Sequence, residues 1–543
     1  MRFSWPALFA PALWFLAGAG GAFPLNDDWA YASAVRRLVD EHRLRLSDWA
    51  TPFDLPPIFS AALASSVFGF HHELLRLVTL AWGLAGLWLL DKWFREEGVS
   101  VYDRGLGIAT LLFCPLYFVL LFSFHTEIPF LTLAFAALYA FRRADRETSN
   151  QWEIVGSVFV GLAFLTRETG IALLLGQTLW TALDRRLTPF RAIRIWLPAL
   201  LLGGCGMFWF LAVHGPTWAF VNYLWGGTAK HLSTHGIVSA TLLRASGAIL
   251  TSALFALPLV PIPNTIILGA GLRPAPTRIK PRLVPALVIG GLSALFIRWN
   301  GGLPFFGNTW HPGGLGTLTG IAASEYKPIL GVWSSPLTWS LLGVAAAAGA
   351  AFFLTAWRKM TSLRPARHAL VVWVPLALAT LPGDQFFDRY ILMWLPLLLF
   401  PAVLGNFRRG RFARLIPLIL LMVVSVAGTR DYFAWNRAKW SLGNKALSMG
   451  YRPEEIANGV DWAGWHYYDE RMAALRQVKP LSAIGEMEWK QGPFPKVFIT
   501  FDPILFPSSH LLAIERFRSP LTPPSTAQFL FLSTAKATSL RKR

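Results

Sequence analysis

Residues 105–144 read GLGIATLLFCPLYFVLLFSFHTEIPFLTLAFAALYAFRRA. One apolar run covers 105–124, the polar trio His125, Thr126 and Glu127 interrupts it, and a second run, 127–141, ends on Arg142 and Arg143. A hydrocarbon layer of about 30 Å takes roughly 20 mostly apolar residues to cross as a helix. Two runs back to back, with cations at one end, read as a membrane hairpin whose turn carries a carboxylate.

Working outward, the same measure gives about thirteen segments. They lie near residues 3–23, 73–93, 105–124, 127–141, 152–166, 169–183, 192–213, 241–262, 283–299, 336–356, 369–382, 389–405 and 413–428. Every second connection carries the Lys and Arg excess expected of a cytoplasmic loop. One set holds Lys92, Arg95 and Arg104; Arg142, Arg143 and Arg146; Arg185, Arg186, Arg191 and Arg194; Arg273, Arg278, Lys280 and Arg282; Arg358, Lys359, Arg364 and Arg367; and Arg408, Arg409, Arg411 and Arg414. The alternate connections hold few cations. An odd number of spans sends residues 429–543 outward, where patterns such as KVFITFDP read as a small α/β domain. The expected organisation is thus a polytopic α-helical membrane domain, 1–428, with outer loops 24–56, 214–240 and 300–335, followed by an extracytoplasmic domain, 429–543. Residues 1–23 also fit a cleaved signal peptide, which would leave the sidedness downstream unchanged.

The bulk properties agree. Of 543 residues, 54% are hydrophobic and only 15% charged, too apolar for an ordinary soluble protein. The net charge of +20 falls in short clusters between apolar runs, which is membrane topology rather than a nucleic-acid surface. Cys114 and Cys205 lie inside apolar runs and suggest neither a disulfide nor a zinc site. Many of the 25 Trp residues sit at the ends of apolar runs, as in interfacial belts.

Four outer turns carry candidate chemistry. The loop 24–56 opens with Asp27 and Asp28, and Trp29, Ala32, Val35, Leu38 and Val39 then recur at helical spacing, predicting an amphipathic interfacial helix. The plain alternative for these carboxylates is capping by Asn26 or Asp27, with Asp28 favouring the helix dipole. Glu127 stands between two spans with almost no loop around it, where a charge persists mostly beside a cavity or a partner. Arg167 and Glu168 break one apolar run into two and either pair with each other or leave Arg167 facing an anionic ligand. Asp384, Asp388, Arg389 and Tyr390 sit at the mouth of another span. The fixed donor fork of Arg389 suits phosphate oxygens, snorkelling being its plain alternative. Tyr390, His125, Lys230 and His311 are candidate substrate contacts, with His231 and His235 beside them in the longer loops.

These residues resemble the GT-C membrane glycosyltransferases, in particular the branch around protein O-mannosyltransferases and lipid A aminoarabinose transferases. The resemblance rests on LNDDWAYA, LPPIFSAALASSVFGFHHELLRLVTLAWGLAGL, FSFHTEIPFLTLAFAALYAFRRA and LTRETG, covering about the first 185 residues, and on DRY at 388–390. It implies the GT-C fold in a bacterial inner membrane, an active site at the outer face, a polyprenyl-phosphate sugar donor and inversion at the anomeric carbon. By position, Asp27 or Asp28 looks like the catalytic carboxylate and Glu127 like the second acidic residue. Where many members have a basic residue before Pro-Pro, this chain reads Asp54-Leu55, so the donor phosphate falls to Arg389 and Arg167. No cofactor is required on this reading, although Asp27, Asp28 and Glu127 together would also suit a divalent metal. A transporter or flippase of a lipid-linked substrate is the rival class, but no internal repeat is visible. A catalytically inactive binding protein is the third.

Overall fold

The computed structural model describes residues 5–50, 53–222, 237–260, 307–310, 343, 346, 349, 361–382, 386–405, 412–485, 488, 495–501, 510–518 and 528–534. Its helices are α1 (Trp5–Ala17), α2 (Asp28–Asp40), α3 (Leu55–Phe68), α4 (His72–Glu96), α5 (Val101–Leu112), α6 (Pro115–Leu120), α7 (Glu127–Glu147), α8 (Asn150–Phe164), α9 (Ala172–Leu183), α10 (Pro189–Phe208), α11 (Ile237–Phe255), α12 (Arg364–Leu378), α13 (Ile391–Leu404), α14 (Leu415–Ser448) and α15 (Val460–Val478). Four strands follow the same order: β1 (Ile456–Ala457), β2 (Val497–Thr500), β3 (Leu511–Phe517) and β4 (Gln528–Thr534).

Among the described residues, three helices are long and apolar enough to cross a membrane unaided: His72–Glu96, Pro189–His214 and Leu415–Ser448. Among the described residues, the other expected spans are helices that are shorter or, like α7, more charged, or broken pairs. The run 105–124 splits into α5 and α6 because Pro115, at the start of α6, has no N–H to continue the ladder. The run expected at 283–299, and most of that at 336–356, lie outside the described residues. Apolar side chains such as Leu63, Phe68, Phe190, Leu201, Phe208 and Leu420 face outward from α3, α10 and α14, the arrangement a bilayer stabilises.

Inside, α7 is buried along most of its length and packs against α4 and α8. A Cβ at Gly86 of α4 would lie 2.7 Å from Thr132 Oγ1, so only glycine admits so close an approach, and Thr132 Oγ1 donates to the Trp82 carbonyl at 2.8 Å.

The expected boundary at 428/429 falls inside a helix. Arg430 and Asp431 end the apolar run but do not break the backbone, and α14 continues to Ser448. Beyond it the strands form one sheet in the order β1-β2-β4-β3, with β1 and β2 parallel and the other pairs antiparallel. The buried Lys439 ammonium of α14 lies 2.6 Å from Asp461 of α15, which also accepts from Trp440 Nε1 at 3.1 Å. Helix α15 then rests on α2: Trp29 meets Tyr468 with ring centroids 4.7 Å apart, and Arg37 pairs with Asp469. The C-terminal elements thus brace the short helix that begins at Asp28.

Candidate active site

The predicted interfacial helix forms as α2, with Asp27 at its N-cap and Asp28 in its first turn. The Asp27 side chain makes no capping bond. Its Oδ1 accepts from Trp49 Nε1 at 3.0 Å, and its Oδ2 lies 3.5 Å from Arg389 Nη1. Asn26, in the left-handed region at φ 50°, likewise does not cap: its amide donates to Asn308 Oδ1 at 2.6 Å and to the Asn308 carbonyl at 3.0 Å.

Asp28 faces differently. Oδ1 accepts from the backbone N–H of Leu25 at 2.6 Å and Oδ2 from that of Phe124 at 3.1 Å, which ties the first outer turn to the second. Burial pushes its pKa up to about 7, the nearby Arg76 guanidinium opposing the rise. Arg76 in turn donates to the carbonyls of Ala19, Gly21 and Phe23, holding the end of the segment after α1.

Glu127, fully buried at the start of α7, is where the charges meet. Its Oε1 pairs with Arg167 Nη1 and lies 3.1 Å from Arg389 Nε, while Oε2 has no hydrogen-bond partner among the described residues. Arg167 therefore pairs across the site rather than with its neighbour Glu168. It also donates to Thr126 Oγ1 at 3.0 Å and stacks over the Tyr390 ring at 5.3 Å. Arg389 does not snorkel outward. It reaches inward to Asp27, Glu127, Asn308 Oδ1 at 3.3 Å and His125 Nδ1 at 3.4 Å. A guanidinium can only donate, so His125 accepts at Nδ1 and is neutral there, consistent with burial pulling its pKa down to about 4. Asp388, completely buried, accepts from the backbone N–H of Thr309 at 2.8 Å and of Trp310, which fixes the segment that carries Asn308.

Asp27, Glu127, Arg167, Arg389, Tyr390 and His125 thus come together from separate turns. Lys230, His231, His235, His311 and Asp384 lie outside the described residues. The three carboxylates proposed as metal ligands do not converge as a set: Asp28 is turned to backbone amides and Glu127 is held between two guanidinia. Among the described residues, no group of three or more His, Cys, Asp or Glu is arranged to hold a metal ion.

Sequence reasoning missed Asp54. It stands at the N-cap position of α3 with left-handed backbone, φ 52°, is 1% exposed, and neither carboxylate oxygen has a hydrogen-bond partner among the described residues. Burial raises its pKa well above the ordinary carboxylate value, with Arg167 the strongest opposing charge, Glu168 and Glu127 adding to the rise and Arg389 opposing it. A bare, buried carboxylate in a strained backbone carries a penalty that a bound donor would relieve. Its sequence signal was present, in the departure from a basic residue before Pro-Pro.

With this geometry in view, residues 54–209 match the family model described as dolichyl-phosphate-mannose-protein mannosyltransferase. The match supports the resemblance to membrane glycosyltransferases over the helices that carry Asp54, Glu127 and Arg167. No curated protein matches the chain. Among solved structures, ArnT from Cupriavidus metallidurans is similar in its apo state at 15% identity and TM-score 0.42, covering 98% of each chain. The same protein bound to undecaprenyl phosphate gives 13% identity and TM-score 0.40 over 99% of each chain. The arabinosyltransferase EmbB from Mycobacterium smegmatis gives 14% identity and TM-score 0.35, covering 79% of this chain and 41% of that one.

Proposed function

We propose that the chain transfers a sugar from a polyprenyl-phosphate donor to an acceptor at the outer membrane face, with inversion at the anomeric carbon. The observation that supports this best is Arg389, which joins Asp27 to Glu127 and shares Glu127 with Arg167, both guanidinia acting on the buried Asp54. The dolichyl-phosphate donor named in the matching family's description agrees with such a site.

The acceptor's hydroxyl or amine attacks the sugar C1, the bond from C1 to the phosphate oxygen breaks, and the acceptor's proton passes to a carboxylate. Asp27 is the base on this reading, because its carboxylate is held by one Trp49 donor and one distant cation rather than saturated. Positioned base catalysis of this kind contributes about 10²–10⁴-fold. The leaving polyprenyl phosphate is a weak base and needs charge stabilisation more than a proton. Arg389 and Arg167 supply it through N–H groups already aimed by Glu127 and Asn308. Asp28 acts through geometry, joining the two outer turns.

The test incubates protein in lipid with radiolabelled polyprenyl-phosphate sugars and candidate acceptors. Asp27→Asn and Arg389→Gln lose transfer while retaining their elution profile and thermal midpoint, and chelation of divalent metal leaves the rate unchanged. Full transfer by both variants would remove this centre, and uptake of the intact lipid-linked sugar without transfer would favour the transporter class.

A further inference from the structure

A second, unrelated feature lies at the other end of the bundle, where the cation excess assigns the cytoplasmic face. Helices α9 and α12 pack tightly: a Cβ at Gly176 would collide with the Val372 carbonyl. Beside that contact they enclose an open-mouthed cavity of about 600 Å³. Its long wall is apolar, built from Leu179 and Leu183 of α9 and Leu370, Val371 and Val374 of α12. Leu179 and Leu183 are 48% and 64% exposed, so the wall faces outward toward the hydrocarbon. At one end the lining changes to Arg364, Arg367, Asp184 and Thr361.

The charges at that end do not cancel. Arg364 lies 2.7 Å from Asp184 and 3.1 Å from Asp145, and Arg186 shares both carboxylates at 2.9 and 3.3 Å. Arg367 is exposed and makes no ion pair among the described residues. The surplus cation therefore stands at the rim, one helical turn before Leu370 and Val371. It also stands at the N-terminal end of α12, where the helix dipole favours an anion.

The dimensions select the occupant. From Arg364 to Pro375 the part of α12 that lines the cavity spans eleven residue steps, roughly 16 Å at 1.5 Å each, about half the thickness of a hydrocarbon core. A cationic rim above an apolar groove one leaflet deep fits a lipid with an anionic head and two acyl chains. We infer that the α9–α12 cavity binds an anionic glycerophospholipid of the cytoplasmic leaflet, its phosphate on Arg367 and Arg364 and its chains along Leu179, Leu183 and Val374. This site is independent of sugar transfer and stands whether or not the reaction above is correct.

The test offers the delipidated full-length protein equal amounts of phosphatidylglycerol and phosphatidylcholine with identical acyl chains, and counts retained lipids by native mass spectrometry. Wild type retains phosphatidylglycerol preferentially. Arg367→Gln, at an exposed position that leaves the fold intact, reduces that preference about fivefold, the weight of one Arg against an anionic headgroup. Val374→Trp fills the groove and reduces retention of both lipids. Arg43→Gln, an exposed cation on the outer loop, leaves the preference unchanged. Equal retention of the two lipids by wild type, an unchanged preference in Arg367→Gln, an equal drop in Arg43→Gln, or displacement by millimolar inorganic phosphate would each overturn the assignment.

Discussion

The molecule carries two arginine–carboxylate clusters, one at each end of the helical bundle, which the cation pattern of the sequence assigns to the inner and outer faces, and they are built to opposite rules. At the inner face, both oxygens of the buried Asp145 are used: Oδ2 pairs with Arg142 at 3.0 Å, and Oδ1 lies 3.1 Å from Arg364 and 3.3 Å from Arg186. Arg142 also grips Glu97 at 2.7 Å. Every carboxylate there is answered, and two of the arginines, Arg186 and Arg364, reach solvent. At the outer face, Glu127 leaves Oε2 without a partner, Asp54 leaves both oxygens bare, and the two guanidinia are almost sealed from water. Saturated charges join helices, whereas unsaturated buried charges keep an unfavourable state ready for something that is not yet bound.

Substitutions can break that contrast or sharpen it. The largest expected effect is Arg389→Gln, which removes the guanidinium shared by Asp27 and Glu127 and lowers the transfer rate about 10²–10³-fold, as loss of one transition-state donor does. Lys in its place does not rescue, because a point charge lacks the fork. Steady-state transfer measured on both variants decides this, and restoration by Lys would reduce Arg389 to a simple countercharge.

Asp54→Asn and Asp145→Asn form a reciprocal pair. Relieving the unfavourable ionisation of Asp54 raises the thermal midpoint while transfer falls about tenfold, since burial opposes the charged carboxylate where it stands. Removing the Asp145 charge takes one partner from each of three arginines and leaves them Glu97 and Asp184. It lowers stability by about 2 kcal/mol, less than a fully sealed pair would because Arg186 and Arg364 are about 40% exposed, and leaves the rate per folded molecule unchanged. Thermal unfolding in detergent beside activity tests both, and loss of stability in Asp54→Asn would contradict the contrast directly.

Asp28 provides a pH signature. Its pKa lies near 7 in the fold against an ordinary 3.8, so the folded state holds the proton longer. The stability this group contributes is complete below 3.8 and is lost as pH rises through about 7. The wild-type midpoint should therefore fall more steeply between pH 4 and 7 than that of Asp28→Asn, and parallel curves would refute the assignment. The smallest effect belongs to Arg143→Gln, which opens a solvent-exposed pair with Glu147 and should leave both midpoint and rate indistinguishable from wild type.

The sequence made the charged members of the outer cluster legible because each interrupts an apolar run, where a charge stands out. Asp27, Glu127, Arg167 and Arg389 were found that way. That they meet was not in the pattern, since they belong to four turns whose distances depend on packing. Asn308 was missed because an amide in a Gly- and Pro-containing loop has no periodic signature, and Asp54 because it registered only as the absence of a cation. The end of α14 was misjudged for a related reason: hydropathy reports the solvent around a helix, and Arg430 changes the solvent without interrupting the hydrogen-bond ladder.

That uninterrupted ladder has a mechanical corollary. A rod of 34 residues is about 51 Å long, so it leaves the bilayer and enters the outer unit as a single shaft. Its azimuth is inherited by whatever is mounted on it. Inserting one residue midway would swing the outer unit through about 100° and carry Tyr468 away from Trp29, whereas seven residues would return the original heading within about 20° at a greater height. The spacing between α15 and the helix that begins at Asp28 is therefore set partly by the phase of a screw.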